Sequence, residues 1–229
     1  MKNVTTIKAM WFLEDKLAKI SIKKKQELPP QKSFNLAFFR RNTVYLQASY
    51  LLGSIGFNNP SRNIQRTVYE TILRGYYFLI EPEEAKQYHS ALGTDQEKEF
   101  LWSRKHYGHS FLTEKLFKEE TISSYKRVYE LFCISSHAEI KGLSLDFPKF
   151  SEENIEDRLQ LVLSLAFGSI QLITELFFDS ISQELKTIVS KVLEEIVITL
   201  GEQVPLFEPN KETYQSRIRL KNGNFKLIL

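Results

Sequence analysis

Apolar residues recur at the three-and-four spacing of an α-helix over almost the whole chain, and this periodicity restricts the fold more than any other feature. With nine glycines and seven prolines in 229 residues, turn formers are too scarce for many short strands. A first helix is predicted over about Thr5 to Ser21, with Met10, Leu13, Leu17 and Ile20 on one face. Three lysines and then Leu28-Pro29-Pro30 end it, because proline cannot continue a helix and extends its predecessor. Ser33 is placed to cap a second helix reaching about Gly53, whose apolar residues cover more than one face, as in a buried element. Pro60 opens a third helix running to about Ile80, and a short one follows from Glu83 to about Leu92. Thr94 and Glu97 fit the capping box of another helix, expected to break near Gly108. Ser123 or Ser124 starts a helix to about His137. Ser151, with Glu152 and Glu153 suiting the positive end of the dipole, opens the longest, to about Phe178. Ser182 to Leu200 is the cleanest amphipathic pattern.

The end of the chain changes period. Asn222-Gly223, between Arg217-Ile218-Arg219-Leu220 and Phe225-Lys226-Leu227-Ile228-Leu229, is a strong two-residue hairpin signal. It would pair Leu220 with Phe225, Arg219 with Lys226 and Ile218 with Leu227. One face of that hairpin is apolar, and a lone two-stranded hairpin is marginal in water, so it needs a surface to lie on. The expected fold is all-α: a multi-helix bundle of about seven helices over residues 1–203, with a C-terminal extension, 204–229, carrying a small β-hairpin.

Composition narrows the class. At 42% hydrophobic, 26% charged and 13% aromatic, the chain is that of a folded globular protein with a large core. Net charge is only +3 but uneven: residues 1–41 carry +7 and residues 209–229 carry +4, which leaves −8 over the 167 residues between. An acidic body with basic ends suits either mutual attraction or an anionic partner. The single cysteine, Cys133, excludes an intrachain disulfide and lies in an apolar run that suits a packed thiol. No secretory signal is recognisable, and the longest charge-free apolar stretch, Leu159 to Thr174, is short of the roughly 20 residues of a membrane span. A soluble, cytoplasmic protein without membrane contact is the expectation.

Few motifs carry chemistry. Arg62, Arg66, Glu70 and Arg74 follow one another at intervals of four in the third helix, forming a slowly drifting charged stripe. It reads either as an exposed ion-pair ladder or as the lining of a pocket that takes a small anionic ligand together with Ser136 and His137. The stretch Tyr129 to His137 reads equally as a helix end capped by its own serines and histidine. Arg104 and His109 have an Arg-x4-His spacing, and such a pair could stabilise a phosphate and move a proton during RNA cleavage. His106 and His109 lie three apart, but no Glu-x-x-His or His-Glu-x-x-His accompanies them, so no metal is expected. No phosphate loop, dinucleotide fingerprint or serine elbow is present, and no cofactor is expected.

Arg66-Thr67-Val68-Tyr69-Glu70 together with Tyr129 to His137 resembles a loose set of prokaryotic helical-bundle proteins that are similar to the HEPN superfamily and to abortive-infection proteins of phage defence, over about residues 35–180. The resemblance implies a helical bundle, often dimeric, and in active HEPN members a metal-independent ribonuclease built on Arg-x4–6-His with a polar residue, typically Asn, Asp or His, after the arginine. Here Lys105 follows Arg104, and Gly108 interrupts the segment before His109. The leading expectation is therefore a binding protein that self-associates as a homodimer and contacts RNA or another anion. The alternative is a HEPN-like ribonuclease using Arg104 and His109, so whether the chain is an enzyme stays open.

Overall fold

The computed structural model describes residues 2–23, 28–117, 122, 125, 126, 129, 130, 152–201, 218–221 and 224–227. Among the described residues are eight α-helices, so the chain is predominantly helical. They are α1 (Lys2–Lys23), α2 (Pro30–Ser54), α3 (Asn58–Ile80), α4 (Pro82–Ala91), α5 (Glu97–Ser103), α6 (His109–Leu116), α7 (Glu152–Phe177) and α8 (Gln183–Leu200). A 3₁₀ turn, Lys105–Tyr107, joins α5 to α6. Strands β1 (Ile218–Lys221) and β2 (Asn224–Leu227) run antiparallel with Ile218 opposite Leu227 and Leu220 opposite Phe225. The intervening Asn222 and Gly223 lie outside the described residues, as do Cys133, Ser136, His137 and most of the helix expected there.

Helices α2, α3 and α7 pack on one another at the centre, with α1 and α8 laid against them and α6 against α3. The buried face of α1 is Ile7, Met10, Leu13 and Leu17, at helical spacing. Along α2 the buried seam runs Asn35, Phe39, Asn42, Leu46, Ser49 and Gly53, alternating steps of four and three, with Thr43 buried beside it. Half of this seam is polar, and its partners are internal. Asn42 Nδ2 donates to Ser169 Oγ on α7 at 3.2 Å. The Ser49 and Ser61 hydroxyls lie 2.9 Å apart, and Asn35 Nδ2 donates to the Gly75 carbonyl on α3 at 3.3 Å. Polar pairs in a low-dielectric core fix which helices face one another, because an unpaired group there is costly. Gly75 lets α3 come this close: a Cβ on it would run into Asn35 Oδ1 and Leu172 Cδ2. One stretch of α7, Gln160–Phe177, is long and apolar enough to cross a membrane, and 83% of it is buried inside the fold.

Two local boundaries differ from expectation, and the break expected near Gly108 is present as a turn. Helix α2 begins at Pro30, three residues before Ser33, because proline at the first helical position has no N–H to satisfy and its φ is already helical. Thr94 and Glu97 do not close a capping box at the head of a helix. Glu97 instead accepts from the Gly93 N–H at 2.8 Å and becomes the first residue of α5. The segment from 94 holds two short helices separated by a left-handed turn, with φ of 49°, 54° and 52° at Lys105, His106 and Tyr107. Such residues cost about 1–2 kcal/mol each. The Tyr107 ring, 1% exposed, holds the turn in place by packing among Tyr77, Phe78, Tyr88 and Phe111 at centroid distances of 5.5–6.0 Å.

Candidate anion-binding face of helix α3

Helix α3 turns Val68, Ile72, Leu73 and Tyr76 inward, which leaves its four-residue charge spacing along the flank. The flank is half-buried, with Arg66 and Glu70 side chains 27% and 31% exposed, so it is neither a free surface ladder nor a sealed pocket. Tyr129 leans over it. Arg66 Nε donates to Glu70 Oε1 at 3.0 Å, Arg66 Nη2 donates to the Tyr129 hydroxyl at 2.6 Å, and that hydroxyl donates to Glu70 Oε1 at 3.1 Å. The Arg66 guanidinium lies 4.9 Å from the Tyr129 ring centre. Arg62 sits half-buried at the head of the stripe.

One turn further on, Arg74 is less well served. Its Nη2 reaches the His106 carbonyl at a long 3.4 Å, and its buried Nε has no acceptor among the described residues. Burial lowers the pKa of this guanidinium, and nearby Arg41 lowers it further while Glu70 and the tyrosines act the other way. Arg41, on α2, donates from Nη2 to the Thr71 hydroxyl at 2.7 Å, which brings it to the Arg74 side of α3. Its guanidinium is 5.7 Å from the Phe38 ring centre and 5.9 Å from that of Tyr45. Among the described residues neither Arg41 nor Arg74 forms a salt bridge.

His109 adjoins the Arg66 end. It is 6% exposed, stacked face to face on Tyr129 at 4.0 Å and 9°, with Tyr69 5.8 Å away. Burial holds its pKa down at about 4; Glu70 and the Tyr125 carbonyl oppose that shift, while Lys126 and Arg66 reinforce it. The ring is thus neutral at pH 7, and Nε2 has no partner among the described residues. Burial likewise pushes the Tyr69 phenol up.

Arg104 is engaged elsewhere. At the C-terminal end of α5 it holds Glu84 of α4 in a two-point pair, Nε to Oε2 and Nη2 to Oε1, each 3.1 Å. Gln87 and Ser103 accept from the same guanidinium at 3.1 and 2.7 Å, and the Phe100 ring centre is 4.1 Å away. The Glu84 hydrogen bond is the main cause raising its pKa. The left-handed turn lies between Arg104 and His109, and the two have no partner in common among the contacts above. His106 is exposed against Trp102, whereas His109 is buried, so those two histidines occupy opposite environments. No group of three metal-ligating side chains occurs among the described residues.

The face therefore joins Arg66, Glu70 and Arg74 with three residues that spacing along α3 could not supply: Arg41, Tyr129 and His109. Arg41 follows Arg40 in α2, and only the packing of α2 on α3 brings it here. Neither family models nor curated proteins nor solved structures gave a match to the chain.

Proposed function

We propose that this chain is a binding protein that takes an anionic ligand on the flank of α3, between Arg41 and Arg74. The observation that carries this reading is a charge imbalance. Glu70, the one carboxylate of the stripe, is already held by Arg66 and Tyr129, while Arg74 is half-buried, its Nε shielded from water without an acceptor and its guanidinium without a salt bridge among the described residues. A guanidinium removed from water without a counter-charge is costly, and an anion bridging two arginines would offset that cost. Inorganic phosphate and pyrophosphate provide the test. A ligand that binds only the folded state raises Tm with concentration. The wild type should show the rise, and Arg41→Gln and Arg74→Gln should each reduce it. A Tm indifferent to both anions would overturn the reading.

A catalytically degenerate member of a HEPN-like group is the form of this proposal that the Arg104–Glu84 pair supports, since it occupies the arginine that RNA cleavage would need. Metal-free degradation of RNA that is lost in His109→Ala would reverse it in favour of the ribonuclease. Self-association belongs to the same proposal. Val44 and Leu51 on α2 and Ile55 just past its end lie 45%, 55% and 59% exposed, and the hairpin of β1 and β2 would add an apolar face to such a contact.

A further inference from the structure

The left-handed turn at Lys105–Tyr107 ties the anion face to an aromatic surface. Three consecutive non-glycine residues in this conformation persist only where their surroundings compel it, and such strain concentrates at functional places. Tyr107 is the buried anchor, while Lys105 and His106 remain exposed. The His106 carbonyl accepts from Arg74, and the His106 ring meets the Trp102 indole edge to face, at 5.4 Å and 86°. Trp102 is 76% exposed, the largest value among the exposed large hydrophobic side chains of the described residues. On the other side of Arg74, the aromatic rings of Phe38 and Tyr45 and the Thr71 hydroxyl hold Arg41 in position.

Two arginines that form no salt bridge among the described residues, an exposed lysine, and an exposed indole packed on His106, whose carbonyl accepts from Arg74, make a specific combination. Phosphate oxygens suit the first, and the flat face of an unpaired base suits the last. A double helix hides its base faces, whereas a single strand offers one at every nucleotide. We propose that this surface binds single-stranded nucleic acid, a phosphate between Arg41 and Arg74 and a base stacked on Trp102; the proposal rests on the anion-binding reading above.

The chain has two tryptophans, so Trp11→Phe leaves Trp102 as the sole indole reporter. Titrating that protein with a short single-stranded thymidine oligonucleotide should quench its emission. The matching duplex should bind more weakly. Trp102→Ala should weaken binding, read by anisotropy of a labelled strand, about fivefold or more. Arg41→Gln, at an exposed position whose loss leaves the core intact, should weaken it about tenfold or more. The same change should lower the slope of log affinity against log salt by about 0.7. No quenching, or binding that both variants leave unchanged, overturns the proposal. If pyrophosphate raises Tm through Arg74 while the oligonucleotide leaves Trp102 unaffected, nucleic acid is excluded and the anion site stands. If pyrophosphate has no effect either, both fall.

Discussion

His109 concentrates the electrostatics of the α3 flank in one side chain. Its neutral ring is stacked on Tyr129, the residue that also holds Arg66 and Glu70, so charging it would place a cation beside Arg66 and Lys126. The unfolded chain takes up a proton near the ordinary value of 6.5, while the folded chain resists protonation down to about 4. The unfolded state therefore binds more protons in that interval, and stability is lost as pH falls from 6.5 toward 4. His109→Phe keeps a flat ring between the two tyrosines and removes the titration. Melting temperatures between pH 7.5 and 4.5 should fall less steeply for the variant than for the wild type. Parallel profiles would show that the histidine has no part in acid sensitivity.

At the scale of elements, the contact of α2 with α3 and α7 depends on small and polar residues more than on bulk. Gly75 faces Asn35 and Leu172 with no room for a methyl group, in the middle of a helix where alanine would otherwise be preferred. Gly75→Ala should thus destabilise the fold, by about 1–3 kcal/mol as expected for overpacking, even though the helix itself gains propensity. Urea denaturation measures the difference directly, and an unchanged or higher midpoint would mean that α3 can shift to admit the Cβ. The proposed anion site depends on the same contact, because it carries Arg41 across to Thr71, on the Arg74 side of α3.

For the whole molecule, the distribution of charge and apolar surface bears on assembly. Residues 204–229 include the basic C-terminal stretch, and β2 lies against α8. Truncation after Gln203 should lower Tm or convert a dimer to a monomer in sedimentation, and a change in neither would remove the extension from both roles. The helical class, the approximate extent of the long helices and the charged stripe of α3 could be read from the sequence, because periodicity and local spacing are properties of neighbours along the chain. The start of α2 was not, since Ser33 and Pro30 both signal a helix start and only packing chooses between them. Nor could the sequence pair Arg104 with Glu84, set His109 on Tyr129 or bring Arg41 to Arg74. Each of those depends on which helices meet and at what rotation, and it is the buried seam of Asn35, Asn42, Ser49 and Gly75 that decides this in three dimensions.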